Sequence, residues 1–287
     1  MLSVLEGRIH ATLMELSNGG SVECPDTLKA EAVKQFAAAL DKQFTPRDPA
    51  FRVRMSNIGR PLCQLQMEKA GAPRTPMPYN HIVRMLIGDC VEIIMRMVLE
   101  MSGTNVTSDG DSVELNVSGH TIKGDSDLDI DGAVYDVKSS SPWAYKNKWA
   151  KGFEGLLEED SFGYVGQLYG YADAQDKKPG GWVVVDKSSG EVSVVEVSAT
   201  PEQEQHIRHN RKHIVESIYQ DAPFMRCFDA EEETYYRKPT GEMIVPKQCS
   251  MCSYIRPCWP EANFRQSTSS TAKAPPYKWY LEAASDN

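Results

Sequence analysis

The stretch IKGDSDLDIDGAVYDVKSSS, Ile122–Ser141, holds five aspartates and two lysines in alternation with apolar residues. Strands are normally depleted in Asp, and like charges set across from each other destabilise a sheet. The dipeptide Asp131-Gly132 suits a two-residue hairpin turn, because both residues tolerate positive φ. That turn pairs Ile130 with Ala133. Followed outward, the register sets Asp127 opposite Asp136 and Asp125 opposite Lys138, with Cβ atoms about 4.5–5.5 Å apart. Ser126, Leu128 and Ile130 then take the other face, where the two apolar residues meet the core. The pattern builds carboxylates and an ammonium on one surface. Hard oxygen ligands at that spacing suit Mg²⁺ or Mn²⁺. The competing reading is a solvated acidic edge.

Outward from the hairpin, the chain of 287 residues is long enough for a full core, with a net charge of -9. That balance excludes a protein that coats nucleic acid by bulk charge, while leaving local basic surfaces open. No run approaches the ~20 apolar residues of a membrane span. The first residues, MLSVLEGRIHATLMEL, read as an amphipathic helix and not as a secretory leader. Seven cysteines without such a leader argue against a disulfide framework and for a reducing, cytoplasmic setting. Helices are expected over LKAEAVKQFAAALDKQF, over HIVRMLIGDCVEIIMRMVLEM up to Gly103, around SFGYVGQLYGYADA and over PEQEQHIRHNRKHIVESIYQ. Strands are expected in SVELNVS, HTIKGDSDLDI, GAVYDVKSS and GWVVVDKSSGEVSVVEVSA. Helices flanking a mixed sheet define an α/β or α+β class.

Gly124-x-x-Asp127 followed by Asp136-x-Lys138 resembles the PD-(D/E)XK nuclease superfamily, and within it the RecB-type and CRISPR-associated exonuclease branch. That branch carries Gln-x-x-x-Tyr on the next helix. Here Gln167 and Tyr171 stand four apart, on one helical face. Relatives also show Gly-x-x-x-His on an upstream helix; this chain has Gly88 and Glu92, a carboxylate where the family has His. A plain Glu92–Arg96 surface pair is the other reading of that helix. His81 reads as a helix-start residue.

KQCSMCSYIRPCWPEANF contains Cys249-x2-Cys252-x5-Cys258. Clustered thiolates select zinc or iron–sulfur centres, and a fourth ligand must come from elsewhere. The same nuclease branch binds a [4Fe-4S] cluster through one Cys ahead of the core and three after it. The resemblance thus implies Cys63, Cys249, Cys252 and Cys258 as ligands, leaving Cys24, Cys90 and Cys227 unassigned. Such a cluster would be structural, closing a long loop.

The segment KSSSPWAYKNKWAKGF interleaves Lys146, Lys148 and Lys151 with Trp143, Tyr145 and Trp149. Lysines neutralise phosphates and aromatic rings stack unpaired bases; an amphipathic connector with core tryptophans is the bland alternative. Arg208, Arg211 and Lys212 form a second basic patch.

The resemblance implies a restriction-endonuclease-like α/β core over residues 56–260, a mixed sheet flanked by helices. A helical N-terminal region, 1–55, precedes it, and an iron–sulfur-stapled C-terminus and a tail, 261–287, close the chain. It implies a metal-dependent DNA exonuclease acting on single-stranded DNA or DNA ends. Asp127, Asp136, Lys138, Gln167 and Tyr171 would be catalytic, and Glu92, Asp127 and Asp136 would hold Mg²⁺ or Mn²⁺. Lys146, Lys148, Lys151, Trp143 and Tyr145 would contact DNA. Two other readings stand beside it: an endonuclease of the CRISPR-adaptation type, and a catalytically idle iron–sulfur scaffold that binds DNA.

Overall fold

The computed structural model describes residues 3–46, 50–107, 112–125 and 128–281. Its helices are α1 (Val4–Ser17), α2 (Asp26–Phe44), α3 (Leu62–Lys69), α4 (His81–Met101), α5 (Pro142–Asn147), α6 (Gly152–Glu158), α7 (Tyr164–Ala174), α8 (Pro201–Tyr219) and α9 (Ile255–Cys258). The strands are β1 (Ser112–Val117), β2 (His120–Asp125), β3 (Leu128–Ile130), β4 (Ala133–Ser140), β5 (Lys178–Asp186), β6 (Val192–Glu196), β7 (Glu231–Tyr235), β8 (Lys238–Ile244), β9 (Ala262–Gln266) and β10 (Tyr277–Leu281). The class is mixed α/β. None of the described helices is long and apolar enough to cross a membrane.

The chain forms two compact units, one of Met1–Gly59 with Pro78–Glu216, the other of Arg60–Met77 with Ser217–Asn287. This division differs from a three-part reading of the sequence. The reason lies in α1, whose Leu5 and Ile9 join Met95, Leu99, Val137 and Val183 in one core. The helix starts on a Ser3 N-cap, whose hydroxyl accepts from the Glu6 amide at 3.1 Å.

In the first unit the main sheet has the order β3-β4-β5-β6. Asp131 and Gly132 take φ of 51° and 82°, closing the β3–β4 hairpin with Ile130 on Ala133. Strand β4 then runs parallel to β5, with Asp136 beside Trp182 and Lys138 beside Val184. A parallel pair needs a crossover, and α5, α6 and α7 supply it. β5 is buried from Trp182 to Asp186, as its unbroken apolar run requires of a central strand. Alternation sends Val137, Val183 and Val185 into the core with α1 and α4. Asp136 and Trp182 therefore take the opposite face, where Trp182 packs on Trp149 and Phe153.

One expected register fails. Asp125 is not opposite Lys138: it ends β2, whose partner is β1, and pairs with Ser112. The left-handed pair Ser118-Gly119, at φ 50° and 85°, closes this earlier hairpin and claims β2 before the Asp131-Gly132 turn can.

The second unit carries the sheet β7-β8-β10-β9. Strands therefore occupy Ala262–Gln266 and Tyr277–Leu281, where the sequence reads as tail. Trp279 and Leu281 from β10 pack against Val245, Cys249, Ile255 and Trp259, which explains their order.

Candidate functional site

Asp136 and Lys138 lie two apart on β4 and so share its face. The Asp136 carboxylate is 2% exposed. The Lys138 ammonium lies 2.6 Å from Oδ1 and 2.5 Å from Oδ2. A buried carboxylate demands such a partner, because an unpaired one costs several kcal/mol. Lys138 also lies 5.2 Å from the centre of the Tyr164 ring, at the first turn of α7.

Glu92, on α4, stands within electrostatic reach of both. Burial pushes its carboxyl up; Lys42 opposes the shift, Asp136 adds to it and Lys138 again opposes it. Its expected surface partner has turned elsewhere: Arg96 is buried and pairs with Glu100 at 3.3 Å. A carboxylate held desolvated beside a second carboxylate gains from a cation placed between them. Lys42, whose charge opposes the Glu92 shift, also pairs with Asp89 at 2.9 Å, a link between α2 and α4 with no local signal in the chain. Asp127 lies outside the described residues.

Gln167 and Tyr171 share one face of α7. Tyr171 is buried. A Cβ on Gly124 would come 3.0 Å from the Tyr171 hydroxyl oxygen and 2.5 Å from Met55 Cβ, so only glycine lets β2 pass this close. Gly59 and Gly166 make a similar approach, which seats α7 against the turn after Met55. The helix start is fixed by Asp160, whose carboxylate accepts from the Tyr164 and Val165 amides at 3.0 and 2.7 Å. Burial pushes the Asp160 carboxyl up, and those N–H groups with Lys148 oppose it.

The basic, aromatic segment is only partly a surface. Trp143 is 58% exposed, and Lys146 and Lys151 are exposed. Lys148 is not, with its side chain 12% exposed. Its ammonium lies 4.6 Å from the Tyr164 ring centre and 5.1 Å from that of Phe162, and 4.0 Å from Asp160. The lysine expected on DNA is a cation caged by aromatic rings. Tyr145 is half-buried, and burial pushes its phenol up. The second basic patch is also neutralised from within, since Arg208 and Arg211 both pair with Asp173.

In the second unit, Cys249 and Cys252 come from the segment that leads into α9, Cys258 from the last position of α9, and Cys63 from the first turn of α3. A fifth thiol, Cys227, joins them. Its sulfur accepts from the Cys63 amide at 3.0 Å and makes a side-chain hydrogen bond with the Cys63 thiol. That contact and burial push the Cys63 thiol up; on Cys227 the same contact outweighs burial and brings the thiol down to about 7. Burial pushes Cys249 up to about 12 and raises Cys252 and Cys258. Cys63 and Cys227 are adjacent, and thiols are the donors that zinc or an iron–sulfur cluster takes. Among the described residues, no three His, Cys, Asp or Glu side chains stand at the separation of a filled metal site.

No family profile matches the chain, and no curated protein matches it. Among solved structures it is similar to SSO0001, at 16% identity and a TM-score of 0.38, over 71% of this chain and 91% of that one.

Proposed function

We propose that this chain is a metal-dependent DNA exonuclease of the PD-(D/E)XK type, hydrolysing phosphodiester bonds at single-stranded DNA ends. The carrying observation is the buried Asp136 carboxylate gripped by Lys138, with the half-buried Glu92 of α4 within electrostatic reach of both. The sheet order supports a restriction-endonuclease-like core, with an antiparallel hairpin feeding a parallel neighbour through a helical crossover.

Glu92, Asp127 and Asp136 would hold Mg²⁺ or Mn²⁺. Bound there, such an ion lowers the pKa of a coordinated water and offsets charge on the phosphate. Lys138 orients the attacking water and stabilises the charge that grows on the phosphate oxygens. Its pairing with Asp136 keeps the ammonium in place without DNA. Tyr171, fixed over Gly124, and Gln167, one turn before it, position the scissile strand. The exposed Trp143, Lys146 and Lys151 contact the single strand by stacking and charge. Cys63, Cys249, Cys252 and Cys258 would hold a [4Fe-4S] cluster, which acts as a staple.

End-labelled linear single-stranded, linear duplex and circular single-stranded DNA, each incubated with Mg²⁺ or Mn²⁺, test the proposal. Linear single strands should shorten to small products, and circles should persist. Cleaved circles would favour the endonuclease reading. Intact substrates with either metal would leave a scaffold.

A further inference from the structure

Phe162 is 44% exposed, yet its place is fixed on both sides. It lies in the turn that enters α7, where Gly163 takes a left-handed φ of 77° and its amide donates to the Asp160 carbonyl at 3.3 Å. The Asp160 carboxylate holds the next two amides, those of Tyr164 and Val165. Across this turn the Phe162 and Tyr164 rings stack, with planes 12° apart and centres 5.5 Å apart. Tyr164 also stacks with Trp149, at 21° and 5.4 Å. Three rings thus lead from the core to solvent: Trp149 is buried, Tyr164 half-buried and Phe162 open. The middle ring is the one whose centre lies 5.2 Å from the Lys138 ammonium. A single ring therefore separates the open face from the lysine that grips Asp136.

We propose that Phe162 is a stacking platform for one nucleobase of a bound single strand, that of the nucleotide whose phosphate faces Lys138. The inference rests on the Asp136–Lys138 site as the place where a DNA strand lies, and deepens it by assigning what takes the base. Phenylalanine offers a flat apolar face and no hydrogen-bonding group, and the part of a DNA strand that matches it is a base. Every base has such a face, so the contact is tolerant of sequence. Inside a duplex both faces of a base are covered by its neighbours, so the platform selects unpaired strands. Tyr164 backs the ring, and the pinned turn means that little side-chain freedom is lost when a base arrives.

Isothermal titration calorimetry on the full chain provides the test, with a short single-stranded oligonucleotide and Ca²⁺ as the sole divalent ion. An abasic residue is walked along the strand, one position per oligonucleotide. At one position the parent should lose about 5–150-fold in affinity, the worth of one stacked base. F162A should lose a similar factor on the intact strand and should be indifferent to the abasic residue at that position. F162W, which restores a ring, should recover both the affinity and the dependence. With Mg²⁺, F162A should raise KM by a similar factor and leave kcat unchanged, because stacking holds ground and transition states alike.

An abasic penalty as large in F162A as in the parent, or a parent with no such penalty at any position, overturns the platform and leaves the nuclease reading intact. The expected coupling in a chain that cuts no DNA keeps the platform and removes the nuclease reading. A parent that neither binds nor cuts single strands overturns both. Should F162A give no folded protein by circular dichroism, F162L, which keeps apolar bulk without a ring, stands in for it under the same criterion.

Discussion

Replacing Glu233 by Gln should destabilise the second unit in a pH-dependent way. Glu233 is 1% exposed. Its Oε1 accepts from the Tyr280 hydroxyl at 2.7 Å, from Ser267 at 2.9 Å and from the Lys278 ammonium at 2.9 Å, and Oε2 accepts from Thr240 at 3.1 Å. Burial alone would push the carboxyl up, but the hydrogen bonds from Tyr280, Lys278 and Ser267 outweigh it and bring it down from 4.5 to about 2. At ~1.36 kcal/mol per pH unit, the charged form contributes about 3 kcal/mol. The folded value lies below the unfolded one. The contribution is therefore complete above the unfolded pKa, near 4.5, and is lost as the pH falls toward 2. Urea unfolding of parent and Glu233→Gln is measured from pH 7 to pH 2.5, with hydrogen exchange of peptides from residues 231–244 and 262–281 reporting this sheet. The stability gap should be about 3 kcal/mol at pH 7 and should narrow below pH 4.5. A gap under ~1 kcal/mol at pH 7, the worth of an ordinary surface pair, or a gap that ignores pH, would refute the reasoning.

Lys138→Ala should lower kcat by about 10²–10³-fold with little change in DNA affinity, the loss typical of one electrostatic donor; single-turnover cleavage beside a binding titration separates the two. Glu92→Gln should weaken cation binding by orders of magnitude while raising the melting temperature of the metal-free protein at neutral pH. The sign follows because the raised Glu92 carboxyl favours the folded state below its unfolded pKa and loses that benefit as pH rises through the folded value; an unchanged Mn²⁺ titration would remove Glu92 from the site. Gly124→Ala forces a methyl onto Met55 and the Tyr171 hydroxyl, an overpacking that should cost about 1–3 kcal/mol and slow cleavage; calorimetry with kinetics checks both. Lys146→Ala and Lys151→Ala should each reduce the salt dependence of single-strand binding by about 0.7 in log–log slope, whereas Lys148→Met, which alters a caged cation, should leave that slope unchanged.

The β3–β4 hairpin was legible because Asp131-Gly132 can be little else than a tight turn, and the pairing of Ile130 with Ala133 follows from it. Asp125 was misplaced because HTIKGDSDLDI reads as one alternating strand, whereas the molecule uses it as the end of one hairpin and the start of another. Local alternation carries no information about which neighbour a strand takes. Lys148 shows a second limit: a lysine among aromatic residues looks alike whether the rings face solvent or close over it, and only the return of Phe162 and Tyr164 decides. Cys227 has no spacing relation to Cys63, so their contact exists only in three dimensions. The strands of the second unit were illegible for a plainer reason. EEETY and KPTGEMI are rich in residues that strands usually avoid, and their order comes from a buried Glu233 and the apolar side of β10.

The discontinuity of the second unit sets a timetable for synthesis. Its first piece, Arg60–Met77, leaves the ribosome with Cys63 long before the rest of that unit exists, because the whole of Pro78–Glu216 is made in between. Cys63 and Cys227 are 164 residues apart. At ~5–20 residues per second, translation separates them by roughly ten to thirty seconds. Throughout that interval the Cys63 amide lacks the Cys227 sulfur that accepts its hydrogen bond, and the insert between them reaches its full sequence only as the interval ends. The second unit can therefore close only after Ser217–Asn287, the last quarter of the chain, has been made, when the first unit already has its whole sequence.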